Sequence, residues 1–257
     1  MVGIFDSGIG GLTVARAIYR QIPGTAFLYL GDTARLPYGT KSPSTIERYA
    51  LHALAFLKRG GAMHPILACH TVSSIFLTRP RMRKEIAKMF DGGEIFEVVT
   101  PGIAAARRAT RRGRIGVLGT AATIRSGVYP HALRGFHLTQ VAASVLVPLA
   151  EEGWSKKAGI LPLLNEVLKP FKRRRVDTVI LACTHFPILK TRIRAILGPA
   201  IRLIDPGEEL ARMLAKRPVP FARGSRRFFA TDIPGDFGKR ASRFWGQRIT
   251  AKLVNLT

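Results

Sequence analysis

Two cysteines are the residues of this chain best suited to proton transfer. Cys69 directly follows the apolar run 66–68, and Cys183 follows the run 180–182. A thiol acts as an acid or a base once neighbouring groups adjust its pKa. Beside histidines, two cysteines also match a zinc site, but Cys69 and His70 are adjacent at a predicted strand end and would point apart. We therefore favour proton chemistry over a metal site, a structural disulfide or two inert buried thiols.

The cysteines belong to an internal repeat. The sequence ILAC at residues 66–69 recurs at 180–183, displaced by 114 residues. Residues 2–7 (VGIFDS) have a counterpart at 115–120 (IGVLGT), displaced by 113 residues. Each half therefore starts with an apolar strand and later carries a strand that ends in a cysteine. Two matching offsets indicate two related α/β domains that face one another.

Polar residues follow the predicted strands where a ligand would bind. In parallel α/β sheets the ligand crevice lies beyond the carboxyl ends of the strands. If both halves present that edge to one cleft, Cys69 and Cys183 approach a substrate from opposite sides, as inversion of a stereocentre requires. Asp6 is expected beside Cys69 and His185 beside Cys183. The glycine-rich turn 8–11 is expected to offer free backbone N–H groups to a substrate carboxylate.

The fold class is predicted from alternating strand-like and helical stretches. Strands are expected at 2–5, 26–30, 66–68, 95–99, 114–118, 138–141, 176–182, 202–204 and 226–230, and helices at 11–21, 42–59, 101–111 and 161–171. This pattern is typical of an α/β protein with mostly parallel sheets flanked by helices. We predict two pseudo-symmetric domains, 1–95 plus 206–257 and 96–205, with the active site in the cleft between them.

The composition restricts the location and the partners of the protein. No apolar run is long enough to span a membrane, and the first residues lack a secretory pattern, so a cytoplasmic location without membrane contact is expected. The formal net charge is +25. Such a charge attracts anionic substrates and phosphate backbones, so contact with nucleic acid through a basic surface is a second hypothesis. The clusters at 79–84, 107–114, 172–175 and 223–227 lack the interleaved aromatic residues of a single-strand platform.

Five sequence blocks resemble those of bacterial glutamate racemases, in the order of that family and across nearly the whole chain. They are FDSGIGGLT at 5–13, GDTARLPYG at 31–39, GTAAT with SGVY at 119–129, VPLAEEG at 147–153 and LACTHFP at 181–187. The resemblance implies a cofactor-independent racemase without a metal, which interconverts L- and D-glutamate by 1,1-proton transfer. It also implies a homodimer and a role in supplying D-glutamate for peptidoglycan. Aspartate is the alternative substrate, although a histidine two residues after the second cysteine favours glutamate.

The resemblance also implies roles for individual residues. It makes Cys69 and Cys183 the catalytic acid/base pair, assisted by Asp6, His185 and Glu151. The residues implied to contact or line the substrate are Ser7, Pro37, Tyr38, Gly39, His70, Thr71, Thr120, Thr123 and Thr184.

His70 departs from the family pattern, which has asparagine directly after the first cysteine. An amide both donates and accepts hydrogen bonds at one tip, whereas imidazole is larger and differently shaped. If protonated, His70 would be a cation that lowers the pKa of Cys69. The outcomes left open are a racemase with a changed pH profile, a changed substrate preference, or an inactive racemase-like protein that binds an anionic partner.

Overall fold

Two parallel sheets, each covered by helices, form the computed structural model, which describes residues 1–217, 221–233 and 236–256. The strands in these ranges are β1 (Val2–Asp6), β2 (Phe27–Gly31), β3 (His64–Leu67), β4 (Phe96–Glu97), β5 (Arg114–Gly119), β6 (His137–Ala142), β7 (Thr178–Ala182), β8 (Arg202–Ile204), β9 (Arg226–Ala230) and β10 (Lys252–Leu253). The first sheet has the order β10-β9-β2-β1-β3-β4 and the second β6-β5-β7-β8. All of these strand pairs are parallel. The predicted fold class is confirmed.

Helices cover both faces of the sheets. They are α1 (Leu12–Gln21), α2 (Pro43–Arg59), α3 (His70–Thr78), α4 (Pro80–Met89), α5 (Val99–Ala109), α6 (Ala121–Arg125), α7 (Val128–Ala132), α8 (Leu146–Glu151), α9 (Leu161–Arg173), α10 (Lys190–Leu197), α11 (Pro206–Ala215) and α12 (Phe237–Trp245). The central strands β1 and β7 are buried along their whole length, as strands with helices on both faces must be. Among the described residues, no helix combines the length and the apolar character needed to cross a bilayer.

The internal repeat of the sequence is visible in the register of the strands. The order β2-β1-β3-β4 in the first sheet matches β6-β5-β7-β8 in the second. Ile4 lies opposite Ile66 between β1 and β3, and Val117 lies opposite Ile180 between β5 and β7. The offsets read from the sequence therefore correspond to equivalent positions in two sheets, and each cysteine follows the equivalent strand.

The C-terminal segment completes the first sheet. Strands β9 and β10 extend that sheet beyond β2. Strand β4 also pairs in the first sheet, so this sheet continues two residues past the predicted boundary at 95. The domain boundaries themselves stay a prediction, and residues 218–220, 234–235 and 257 of the predicted segment 206–257 lie outside the described residues.

Several strand bounds differ from those expected. The strand expected at 95–99 is only two residues long because Val99 begins α5, where the Glu97 carboxylate accepts hydrogen bonds from the N–H groups of Val99 and Thr100. The strand expected at 176–182 begins at Thr178 because Val176 closes the C-terminus of α9 through a bond to the Phe171 carbonyl. The two-residue strand β10 was not predicted.

Candidate active site

A cavity of about 290 Å³ lies at the carboxyl ends of β1, β3, β5 and β7. Both cysteines line this cavity and both are buried, with 5% exposure each. Predicted site residues that also line it are Ser7, Pro37, Tyr38, Gly39, His70, Thr71, Thr120, Glu151, Thr184 and His185. Asp6 and Thr123 are buried behind this lining. The structure thus brings the predicted site residues together around one space.

The Cys69 side of the cavity is built from the ends of β1 and β3. The Ser7 hydroxyl lies 3.4 Å from the Cys69 sulfur. Burial and the nearby Asp6 raise the pKa of Cys69 to about 12, although the hydrogen bond with Ser7 acts in the opposite direction. At neutral pH the side chain of Cys69 is therefore a neutral thiol.

Asp6 lies between the two cysteine regions. It is completely buried, and burial raises the pKa of its carboxyl group, opposed by the charge of His185 and by the N–H groups of Gly11 and Gly8. Its Oδ1 accepts a 3.4 Å hydrogen bond from the Thr184 hydroxyl. Asp6 therefore interacts with the Cys183 region as well as with Cys69.

The Cys183 side contains a hydrogen-bonded chain of three residues. His185 Nδ1 lies 3.8 Å from the Cys183 sulfur, and Nε2 lies 2.8 Å from Oε1 of Glu151. Burial alone would lower the pKa of His185, but the hydrogen bonds to Cys183 and Glu151 outweigh it and raise the pKa to about 10. At neutral pH, His185 is thus an imidazolium beside the sulfur. A cation in that position stabilises a thiolate.

Three threonines join the two halves across the cavity. The Thr71 hydroxyl lies 3.0 Å from that of Thr120 and 3.3 Å from that of Thr123. Thr120 also caps α6, where its hydroxyl accepts a bond from the Thr123 N–H. Thr71 and Thr120 line the cavity, and Thr123 holds both of them from behind.

The loop after β2 forms another wall. The Tyr38 hydroxyl donates to Asp32, whose carboxylate also accepts bonds from Arg35 and from the Thr231 hydroxyl at 2.8 Å. A Cβ atom at Gly39 would lie only 2.9 Å from the Cβ of Thr120, so glycine is required for the loop to pack this closely. Asp32 thus positions Tyr38 and was not among the predicted site residues, although it stands in the block that carries the resemblance.

The glycine-rich turn uses part of its backbone N–H groups within the protein. The Gly8 N–H donates to Oδ2 of Asp6 at 3.0 Å, and the Gly11 N–H also faces this carboxyl group. A Cβ at Gly10 would lie 2.4 Å from the Thr184 hydroxyl and 2.5 Å from the His185 ring. The turn thus directs two of its amides to Asp6 and packs against the Cys183 region, and binding of a substrate carboxylate by the turn stays a prediction.

His70 is a neutral side chain in this structure. It is 3% exposed, and neither ring nitrogen has a hydrogen-bond partner among the described residues. Burial lowers its pKa to about 3. The cation that a protonated His70 would place beside Cys69 is therefore absent at neutral pH, in agreement with the raised pKa of the Cys69 thiol.

Two arginines of α12 reach the site from the C-terminal segment. Arg240 lies 3.7 Å from Oε2 of Glu151, and Arg243 donates to the carbonyl oxygen of Glu151. Both fix the residue that orients His185. The sequence analysis missed them because the C-terminal segment is not part of the internal repeat. The available signal was that the two arginines are three residues apart, which places them on one face of a helix.

The lining determines what the cavity can bind. Within the described part of the chain it includes hydroxyl groups and no lysine or arginine, so anionic groups of a ligand would meet hydroxyl and backbone donors. Leu36, Val145, Val147 and Pro148 form an apolar wall. Among the same residues, no cluster of three or more His, Cys, Asp or Glu side chains could hold a metal ion.

Comparison with known proteins gives the family. Residues 10–214 match the model of the Asp/Glu/Hydantoin racemase family. The chain belongs to this family. It is accordingly an isomerase of the amino-acid racemase type. A glutamate racemase of Geobacter metallireducens is 36% identical over 260 residues, covering 96% of this chain and 93% of that protein.

Solved structures agree over the whole chain. A glutamate racemase isoform from Bacillus anthracis has a TM-score of 0.91 at 31% identity and covers 100% of this chain and 97% of that one. A glutamate racemase from Francisella tularensis, solved in complex with D-glutamate, has a TM-score of 0.87 at 29% identity and covers 99% and 97% of the two chains. The two-domain α/β fold of the family is therefore the fold of this chain.

Proposed function

We propose that the chain interconverts L- and D-glutamate by direct 1,1-proton transfer between Cys69 and Cys183. The observation that supports it most strongly is that the two sulfurs come from equivalent strands of two sheets and line one cavity. The complex of the Francisella tularensis racemase with D-glutamate supports the choice of substrate.

In the proposed reaction the two thiols exchange roles. One thiolate removes the α-proton of glutamate and becomes a thiol, and the other thiol protonates the opposite face of the resulting carbanion and becomes a thiolate. In one direction Cys183, which faces the His185 imidazolium, is the base, and the neutral thiol of Cys69 is the acid. After turnover the charge lies on Cys69, and Asp6 and Ser7 assist its return to the thiol.

The remaining predicted residues bind and orient the substrate in this proposal. Hydroxyl and backbone donors of Ser7, Thr71, Thr120 and Thr184 hold the carboxylates, and Thr123 keeps Thr71 and Thr120 in position. The loop of Pro37, Tyr38 and Gly39 closes the cavity on one side. His70 offers one donor and one acceptor to the substrate, as a neutral imidazole can.

Hydrogen exchange tests the proposed reaction. Purified protein is incubated with L-glutamate in D₂O, and α-deuteration and optical rotation are followed together. Loss of rotation with one deuterium per inversion is expected, and Cys69→Ala and Cys183→Ala should each abolish racemisation. A folded wild-type sample that exchanges no α-proton at any pH would refute the proposal. Parallel rates with aspartate decide the substrate.

Three broader proposals follow from the resemblance. The D-glutamate formed would supply peptidoglycan synthesis, the enzyme would be a homodimer, and the domains would divide near residues 95 and 205. Sedimentation of the purified chain at micromolar concentration tests the dimer. The competing proposal, a racemase-like protein that has lost activity and binds an anionic partner, rests on His70 and on the net charge of +25.

A further inference from the structure

A second edge of the molecule concentrates arginines far from the cysteines. Three strands of the second sheet begin with a basic residue: β6 with His137, β5 with Arg114 and β8 with Arg202. Arg175 precedes the start of β7 by three residues. Strand β5 is six residues long, so this edge lies about 17 Å from the catalytic edge. Neighbouring strands are about 4.8 Å apart, so the four positions form a row about 14 Å wide.

Folding joins two basic clusters that are separate in the sequence. The Asp177 carboxylate accepts bonds from the Thr110 hydroxyl at 2.7 Å and from the N–H groups of Arg111 and Arg112 at 3.0 and 2.6 Å. It thereby fastens the 110–112 loop to the loop that precedes β7. The Asp177 carboxylate is thus occupied by the Thr110 hydroxyl and by two backbone N–H groups rather than by a guanidinium group.

A groove of about 890 Å³ lies along this row, lined by Arg114, Arg173, Arg174, Arg175 and residues 136–140. Arg173, Arg174 and Arg175 are exposed. None of the four arginines forms an ion pair with any residue in the ranges 1–217, 221–233 and 236–256. We call Arg114, Arg173, Arg174 and Arg175 the amino-edge surface.

Arg175 has a backbone conformation that favours glycine. Its φ of 50° is the one positive value among the described residues other than glycine. It ends helix α9 in a turn where the Val176 N–H bonds the Phe171 carbonyl, a position usually taken by glycine. Arginine costs backbone energy at this position that glycine would not, and its exposed side chain lines the groove.

We propose that the amino-edge surface binds the phosphate backbone of duplex nucleic acid. Exposed guanidinium groups without carboxylate partners bind phosphate oxygens, and a duplex presents one phosphate on each strand for every 3.4 Å of helix axis. The exposed large apolar side chains of the described residues, Leu36, Met63, Val145 and Leu253, all lie elsewhere, so the surface lacks the anchors of a protein interface. Among the described residues that line the groove, Phe136 is the one Phe, Tyr or Trp, which is too few for stacking single-stranded bases.

Fluorescence anisotropy with a 24-base-pair DNA duplex of arbitrary sequence tests this surface. The variant R173Q/R174Q/R175Q is compared with R83Q/K84Q/K88Q, which removes the same charge from exposed positions of α4. We expect the first to bind at least about tenfold more weakly and to reduce the slope of log K against log salt by about 2.7, and the second to change affinity less than about threefold. Racemisation should stay unchanged in both, which reports an intact fold independently of binding.

The single variant R175G separates binding from folding. Relief of the strained backbone should leave the melting temperature equal or higher, while duplex affinity falls about threefold and the salt slope by about 0.9. Equal losses in the two triple variants would show diffuse attraction and overturn the proposal. Poly-L-glutamate binding that depends on the amino-edge surface, without duplex binding, would overturn it in favour of an acidic polypeptide.

Discussion

The two cysteines follow equivalent strands, but the groups beside them differ in charge and in pKa. Cys183 has a histidine whose pKa is raised to about 10 by Cys183 and Glu151 against the effect of burial. Cys69 has a hydroxyl, Ser7, and its own pKa is raised to about 12 by burial and by Asp6. Two equivalent strands thus place the two sulfurs, and the neighbouring side chains give them different surroundings: a charged histidine beside Cys183 and a hydroxyl beside Cys69.

The histidines of the two halves differ in the same sense. His185 is charged and forms an ion pair. His70 is buried without a partner among the described residues, and with a pKa of about 3 it stays neutral until the pH falls to that value. Position after a repeated cysteine therefore does not determine the charge of a histidine. The hydrogen bonds of His185 to Cys183 and to the carboxylate of Glu151 make the difference.

Replacing His185 gives the largest expected effect that distinguishes the halves. His185→Asn removes the imidazolium beside Cys183, and we expect kcat to fall about 10²- to 10⁴-fold, the range of a lost acid–base group. Ser7→Ala, the corresponding change beside Cys69, should cost about tenfold or less. Initial rates with L- and D-glutamate measure both. Equal losses would mean that the two halves are functionally alike.

The neutral state of His70 predicts a pH-dependent stability. An unfolded histidine titrates near 6.5, so between pH 6.5 and about 3 the unfolded chain binds a proton that the folded chain excludes, and stability falls as the pH falls. Burial of neutral His70 should lower the free energy of unfolding by about 2 kcal/mol more at pH 5 than at pH 7. Urea unfolding of the wild type and of His70→Asn at both pH values measures the difference, because other groups contribute equally to both proteins.

The outcome of that comparison decides whether His70 is as buried as the structure shows. A wild type and a variant with parallel pH dependence would mean that His70 takes up a proton in the folded state. His185 provides the opposite sign: its raised pKa stabilises the fold fully below pH 6.5, and this contribution is lost as the pH rises from 6.5 to about 10.

Much of the site could be predicted because the repeat locates strand ends. An apolar strand followed by Asp6 or Cys183 is a local pattern, and parallel pairing then places such ends at one edge. The contacts that tune the site are not local. The amides of the glycine turn bind Asp6, and Arg240 reaches Glu151 from an unrepeated segment. A local motif specifies neither the direction in which backbone N–H groups point nor a contact between residues more than eighty positions apart.

Glu151 can be tested by a shift of the pH profile. Glu151→Gln keeps the shape of the side chain but removes the charge that helps to keep His185 protonated. The pKa of His185 should fall, so the alkaline limb of the kcat profile should move to lower pH by about one unit, which lowers the rate about twofold at pH 9 and about fivefold at pH 10. A lower rate with an unchanged alkaline limb would assign Glu151 a purely structural role.

The smallest expected effect concerns Arg240, which is 30% exposed and shared between Glu151, Glu152 and Asp236. Because exposed ion pairs contribute little, Arg240→Gln should lower kcat less than about threefold. If Arg240 acts through Glu151, the same change in a Glu151→Gln background should have no further effect, and the alkaline limb should not move. Arg217→Gln, which removes a surface pair with Glu94 far from the site, is the matched control. Additive losses in the double variant would show that Arg240 acts by a route that does not include the Glu151 carboxylate, and the charge of His185 would then depend on Glu151 and Cys183 without a contribution from Arg240.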